Sequence, residues 1–349
     1  MKAYVLYGPK DLRLDELRPD PKVGQNDVLI RVRRTGICGS DVHYFDKGQI
    51  GEFVPRAPFA LGHEFAGDVV QLGAGADRFT VGDRVAIDPS MPCGTCDYCR
   101  RGRYNLCDSM RFLGSASCYP HIDGGFSEYV AMPQSNCYRI PDGLDYGYAA
   151  LVEPLTIATH AILRSTVAGG VAGRTVVITG AGTIGHLTLL VARAYGASVV
   201  AVSDPEEFPR EEARRAGADY AFDPRDGELD SFAQSNPVDV VIEVSGAAPA
   251  LAQGIRLLRR GGTLVQVGTQ PPKVELPANL IMSKELAVLG SFRSAHDMRP
   301  ALDLAVRKTI DLTSVISTVY PFSEFKKAMD VAVAKKRVIK IQVEQESGA

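Results

Sequence analysis

A chain of 349 residues, 45% hydrophobic and 23% charged, is long enough to form two separately cored domains. Its 39 basic and 41 acidic residues leave no charge excess that would draw it to nucleic acid or an anionic membrane surface. The N-terminus, MKAYVLYGPKDLRLDEL, carries charges every few positions, and no apolar run reaches spanning length. The expectation is therefore a cytoplasmic protein without an export signal or membrane segment.

Residues 1–150 read as short strands between Gly- and Pro-marked turns: Lys2–Tyr7, Val28–Arg33, Phe65–Leu72, Arg84–Asp88 and Phe126–Met132. This pattern predicts an all-β, barrel-like domain. Two groups of residues in it carry chemistry. The first is dispersed: Cys38, Ser40, Asp41 and His43 in GICGSDVH, then His63 and Glu64, then Glu153. One Cys, one His and one Glu would make three zinc ligands and leave a fourth position open for water or substrate. Each residue alone is as readily a packed core residue, and sequence spacing does not prove that they converge.

The second group is compact. Cys93, Cys96, Cys99 and Cys107 fall within fifteen positions, out of seven cysteines in all. In a chain without export signals this spacing fits a closed, structural Cys₄ zinc site rather than disulfides. An iron–sulfur cluster or unliganded buried thiols are the alternatives, although the ferredoxin pattern has a tighter last gap followed by proline. Cys118 and Cys137 lack the spacing and read as buried thiols.

From about residue 150 the pattern changes to alternating strand and helix, which predicts a parallel α/β sheet. The apolar, β-branched run Val176–Thr179 leads directly into Gly180-Ala181-Gly182-Thr183-Ile184-Gly185. The residues that follow have helical apolar spacing, and a second strand, Ser198–Val202, ends at Asp204. Strand, glycine turn, helix, strand and acid in this order form a dinucleotide-binding fingerprint. Gly180 makes the turn, Gly182 admits the pyrophosphate, and Gly185 lets helix and strand pack closely. An acid at Asp204 would bind a ribose hydroxyl and repel a 2′-phosphate, which favours NAD over NADP. Asp204 is also a plausible turn acid ahead of Pro205, and Arg210, Arg214 and Arg215 downstream are capable of meeting a phosphate. Further elements follow at Val238–Val244, Pro249–Leu258 and Gly262–Val267. Two helices, Asp297–Lys308 and Phe322–Lys336, and a strand, Val338–Val343, then return to complete the first domain. His160, within an apolar helical stretch, reads as a packed histidine, and so does His186.

Over its whole length the chain resembles the zinc-containing medium-chain alcohol and polyol dehydrogenases. Within them it is most similar to the L-idonate 5-dehydrogenases, relatives of sorbitol dehydrogenase. The resemblance is carried by Gly36–Tyr44, Met110–Ala116, Pro120–Phe126 and Gly290–Arg293. It implies a GroES-like, mainly β barrel catalytic domain (1–150, completed by 293–349) and a doubly wound Rossmann NAD-binding domain (151–292). It also implies a homotetramer that oxidises L-idonate to 5-keto-D-gluconate. The alternatives are a broader NAD-dependent polyol dehydrogenase acting on sorbitol or xylitol, or a non-catalytic dinucleotide-binding protein.

By this resemblance Cys38 and His63 bind the catalytic zinc. The acidic contact falls to Glu153 in preference to Glu64, and Asp41 orients His63. Ser40 passes the hydroxyl proton through the nicotinamide ribose to His43. Arg293 or Arg111 would pair with a substrate carboxylate, and Tyr44 would line the pocket or equally pack as a core aromatic. Ser294 stands where sorbitol dehydrogenases often have tyrosine.

Overall fold

The computed structural model describes residues 1–346, except for the side chains of residues 167 and 168. The ten-residue strand Asp27–Gly36 organises the first unit, which comprises Met1–Glu153, Ala301–Val306 and the chain from Ile316 onward. Its burial alternates along most of its length, as a strand with one core face requires. Around it runs a seven-stranded sheet in the order Cys137–Arg139, Arg84–Ile87, Glu64–Leu72, Asp27–Gly36, Lys340–Glu344 and Ile316–Pro321. Tyr129–Pro133 also pairs with Asp27–Gly36. A small sheet of Asp11–Asp15, Ala3–Gly8 and Phe59–Ala60 flanks it.

One side of the unit is filled by a cluster that includes Leu6, Phe45, Phe59, Phe126 and Phe325. There Phe126 and Phe325 stack with ring centroids 3.9 Å apart. A second cluster is built from Val28, Ile30, Val32, Val69 and Met132.

Two expectations for this region change. The region is not all-β, because the helix Gly39–Lys47 directly follows the central strand. The strand expected from Phe126 begins only at Tyr129. Phe126 bonds instead to Leu61 and Tyr4, and Glu128 bonds to Lys2 and Val32, so this segment bridges neighbours rather than extending one ladder.

The second unit, Pro154–Pro300 with Arg307–Val315, is built on a six-stranded parallel sheet. The strand order is Tyr220–Phe222, Val199–Ser203, Thr175–Thr179, Val238–Glu243, Leu258–Gln266 and Ala287–Gly290. All six residues of Val238–Glu243 are buried, as expected of a strand covered on both faces. The chain reverses direction of travel between Thr175–Thr179 and Val238–Glu243. Ligands bind at the carboxyl ends of the strands at such a switch point. Among the described residues, no helix is long and apolar enough to cross a membrane.

Candidate active site

Strand register gathers the dispersed residues. Gly36, at the end of the central strand, pairs with Glu64 on one neighbour and with Gln342 on the other. Cys38 lies two residues beyond Gly36, His63 directly precedes Glu64, and Lys340 opens the third strand. Three segments distant in sequence therefore finish at one point. A Cβ at Gly36 would press on the Glu64 carboxylate oxygen that Lys340 holds. The ligand atoms of Cys38, His63 and Glu64 all lie within 4.8 Å of one another.

Cys38 occupies the N-terminal cap of the helix Gly39–Lys47, and its N–H donates to Asp41 Oδ2 at 2.9 Å. The other oxygen of this fully buried carboxylate has no hydrogen-bond partner. It faces His63 Nδ1, equally unpartnered, at 3.9 Å. Burial pushes Asp41 up to about 6, and the neighbouring His63 opposes that rise. A carboxylate beside one imidazole nitrogen is the usual means of turning the other toward a metal.

Glu153 is buried in the first turn of the helix Val152–Arg164. Burial pushes it up to about 8, with His63 opposing the shift and Glu64 and Cys38 adding to it. It does not belong to the 4.8 Å set. Glu64 does, but one of its oxygens is held by the buried Lys340 Nζ at 2.6 Å, which also donates to Ile37 O at 2.9 Å.

The donor set fits a divalent cation. Cys38, Asp41, Glu64 and Glu153 bring acidic groups into a site where Lys340 is the buried ammonium. Unmetallated, the Cys38 thiol is pushed up to about 12 by burial and then by Glu64. Zinc removes such a proton outright, and a Cys/His/carboxylate set with one open position is the donor chemistry of catalytic zinc.

Ser40 hydrogen-bonds to the Cys38 side chain. His43 lies one helical turn further on, half-buried. Burial and then Lys47 and Lys335 lower its pKa, so it is a neutral acceptor at pH 7.

The other predicted residues are placed as follows. Tyr44 is sealed in the core against Phe59, and its hydroxyl is paired with Ser115 Oγ at 3.2 Å. Its size and apolarity are used in packing rather than in lining a pocket. Arg111 is exposed, on the short strand Arg111–Phe112. Arg293 is half-buried over the Phe292 ring at 4.9 Å, on left-handed backbone with φ 54°.

The second cysteine group is tightly knit. The four sulfurs of Cys93, Cys96, Cys99 and Cys107 lie within 4.8 Å of one another. Backbone N–H groups of Thr95 and Cys96 donate to the Cys93 sulfur at 3.5 and 3.3 Å, and Cys93 N donates to the Cys107 sulfur at 3.2 Å. These donors bring Cys93 down to about 6, as suits a thiolate.

In the second unit Gly180 has φ 101°, and a Cβ on Gly185 would strike the Gly180 carbonyl, so both positions require glycine. A Cβ on Gly182 would meet nothing, which leaves open space in front of the helix Thr183–Ala194. Such a turn at a helix N-terminus fits a pyrophosphate. Asp204 accepts Ala181 N at 2.8 Å through Oδ2 and Glu206 N at 2.9 Å through Oδ1. It is therefore a turn acid as well, although each oxygen keeps a lone pair for a ribose hydroxyl. Arg210 is engaged by Asp204 O and Asp223, and Arg214 by Ala221 O. Arg215 is paired with Glu212. His186 is packed as expected, with Nδ1 3.2 Å from Gly182 O.

Sequence reasoning missed Lys340, although a lysine between Ile339 and Ile341 in an apolar strand was a signal. It gave His160 as a packed histidine without its partner, the buried Asp297, which lies 2.8 Å from Nδ1. No local pattern announces a partner 137 residues away.

Comparison with known proteins agrees with this geometry. Residues 24–142 match the alcohol dehydrogenase GroES-like domain, and residues 183–307 match the zinc-binding dehydrogenase domain. The chain is 35% identical to sorbitol dehydrogenase of Bacillus subtilis (strain 168), covering 98% of this chain and 97% of the relative. It is similar to the crystal structure of L-idonate 5-dehydrogenase from Escherichia coli K-12, with TM-score 0.92 and 33% identity over 98% and 97% of the two chains. A structure from Sinorhizobium meliloti 1021, described as a zinc-binding dehydrogenase bound to NADP, gives TM-score 0.87 and 35% identity over 98% of both chains. With a GroES-like unit, a Rossmann unit and these relatives, the chain belongs to the zinc-dependent medium-chain alcohol and polyol dehydrogenases.

Proposed function

We propose that this dehydrogenase oxidises a secondary alcohol of a sugar acid, L-idonate, to 5-keto-D-gluconate with NAD as acceptor. The observation that carries the chemistry is the convergence of Cys38, His63 and Glu64, whose ligand atoms all lie within 4.8 Å of one another. Zinc at that position would polarise the substrate oxygen, and NAD would take the hydride. Cys38, His63 and Glu153 hold the metal. Glu64, tethered by Lys340, is the alternate ligand, and Asp41 orients His63. Ser40 accepts the hydroxyl proton, and His43 is its exit to solvent.

Gly180, Gly182, Thr183, Ile184 and Gly185 cradle the pyrophosphate, and Asp204 binds the ribose. The preference for NAD is supported by Asp204 and by the prior engagement of Arg210, Arg214 and Arg215. The loop Cys93–Cys107 holds a second, structural zinc. The first unit is catalytic and the second binds NAD, in a cytoplasmic homotetramer. Arg293 and Arg111 are the candidates for the substrate carboxylate, since a guanidinium recognises a carboxylate bidentately.

Initial rates with NAD on L-idonate, sorbitol and xylitol, each repeated with NADP, test the assignment. We expect kcat/KM for L-idonate to exceed that for either polyol by at least about tenfold, because a site built for a charged group rejects analogues lacking it. Equal or faster turnover of the neutral polyols would replace the idonate reading with the second one. The 35% identity to a sorbitol dehydrogenase favours that polyol reading.

Ser40→Ala tests the proton path. It should lower kcat by about 10²- to 10⁴-fold, the usual worth of general acid–base catalysis, at unchanged zinc content. Unaltered turnover would remove Ser40 from the path.

A further inference from the structure

The loop Ser291–Asp297 joins the edge strand Ala287–Gly290 to the helix Met298–Val306, and it carries Arg293. Its backbone is unusual: both Arg293 (φ 54°) and His296 (φ 67°) are left-handed without being glycine. Such residues persist only where their surroundings hold them in place.

The restraints come largely from one face of the helix Val152–Arg164. His160 Nδ1 donates to Asp297 Oδ2 at 2.8 Å, and Ala295 N donates to the same oxygen at 2.9 Å. One turn along, Arg164 Nε donates to Gly290 O at 3.2 Å. Residues four apart share a helix face, so His160 and Arg164 grip the two ends of the loop. Ser291 N is tied to Gln266 O at 2.8 Å as well. The His160–Asp297 end of this grip is largely dry, since the Asp297 side chain is 4% exposed and that of His160 14%. A hydrogen bond to a buried carboxylate is among the stronger ones and is costly to leave half-made.

We propose that His160, through Asp297, is a positioning residue that fixes the loop in the conformation aiming the Arg293 guanidinium at substrate. This rests on the reading above that Arg293 contacts substrate. It gives His160 and Asp297 work that neither the metal site nor the glycine turn supplies.

The test uses the full-length zinc-loaded enzyme and whichever of L-idonate, sorbitol and xylitol it turns over fastest. His160→Leu should lower kcat/KM for that substrate by about 10- to 100-fold, the penalty of a misplacement near 1 Å, mostly through KM. KM for NAD and zinc content should not change. His160→Asn, which keeps a donor near the Nδ1 position, should recover most of the loss. In an Arg293→Ala background, His160→Leu should add little, because the two act as one unit.

Should His160→Leu fail to fold, Asp297→Asn weakens the same bond while preserving shape, and a smaller loss of the same kind is expected. Additive losses in the double variant, an equal rise in KM for NAD, or no rescue by asparagine would overturn the proposal. If Arg293→Ala alone leaves substrate kinetics untouched, the reading of Arg293 fails and the positioning role falls with it. If Arg293→Ala is damaging while His160→Leu and Asp297→Asn are not, only the positioning role fails.

Discussion

Replacing Cys38 by serine is expected to reduce bound zinc from two ions per chain to one and to lower kcat/KM by about 10³-fold or more. Lewis-acid activation by a bound metal is worth several kcal/mol, and each 1.36 kcal/mol is a factor of ten. Cys38 is the one sulfur in the catalytic set, and its thiolate contributes most to affinity for a borderline-soft ion. Its loss leaves His63 and Glu153 to hold the metal, with the alternate ligand Glu64 already claimed by Lys340. The fold should survive, because the cap of the helix Gly39–Lys47 is made by Asp41 and the Cys38 backbone rather than by the sulfur alone. Metal analysis after dialysis, alongside steady-state rates, decides the matter. A variant that keeps two zinc ions and normal turnover would place the catalytic metal elsewhere.

The second large effect concerns stability. Cys96→Ser is expected to release the other zinc and unfold the loop Cys93–Cys107, costing on the order of 5 kcal/mol. Structural zinc in small peptides contributes about 10–16 kcal/mol of binding energy, part of which is offset here by the folded domain around the loop. The physical reason is the loop's lack of any other core. Its helix Asp97–Arg100 buries no residue, and the following turn Tyr104–Leu106 buries only Asn105. Without a cation the four clustered sulfurs rely on weak N–H···S bonds such as those to Cys93 and Cys107. Thermal melting and limited proteolysis read the effect: Tm should fall and cleavage should appear between Cys93 and Cys107, while the zinc at Cys38 remains. A Cys96→Ser protein that melts and resists protease like the parent would show that the loop is held by its N–H···S bonds and not by metal.

The two candidate metal-binding groups differ in how they could be read. Cys93, Cys96, Cys99 and Cys107 sit on one loop, so their spacing alone confines four sulfurs to a small volume. The glycine turn is similar: Gly180 and Gly185 are demanded by contacts within a single strand–turn–helix unit. The central strand was also legible from its apolar alternation, which the structure extends to Asp27 and Gly36. Less legible were short elements such as Cys137–Arg139 and Ile316–Pro321, whose pairing depends on neighbours rather than on their own pattern. Tyr44 was open between lining the pocket and packing as a core aromatic, and the helix turned it into the core.

The sequence by itself determined the units whose parts are close along the chain: the cysteine loop, the dinucleotide turn, and the change from short strands to alternating strand and helix. Only the tertiary structure decided what depends on register between distant strands. Register placed Glu64 opposite Gly36 and brought Lys340 against Glu64, while the packing of helices and loops set Asp41 beside His63 and joined His160 to Asp297. A one-residue slip in any of those strands would turn the same side chains to the other face of the sheet. The residues carry the chemistry, but the register of the folded sheet decides which of them meet.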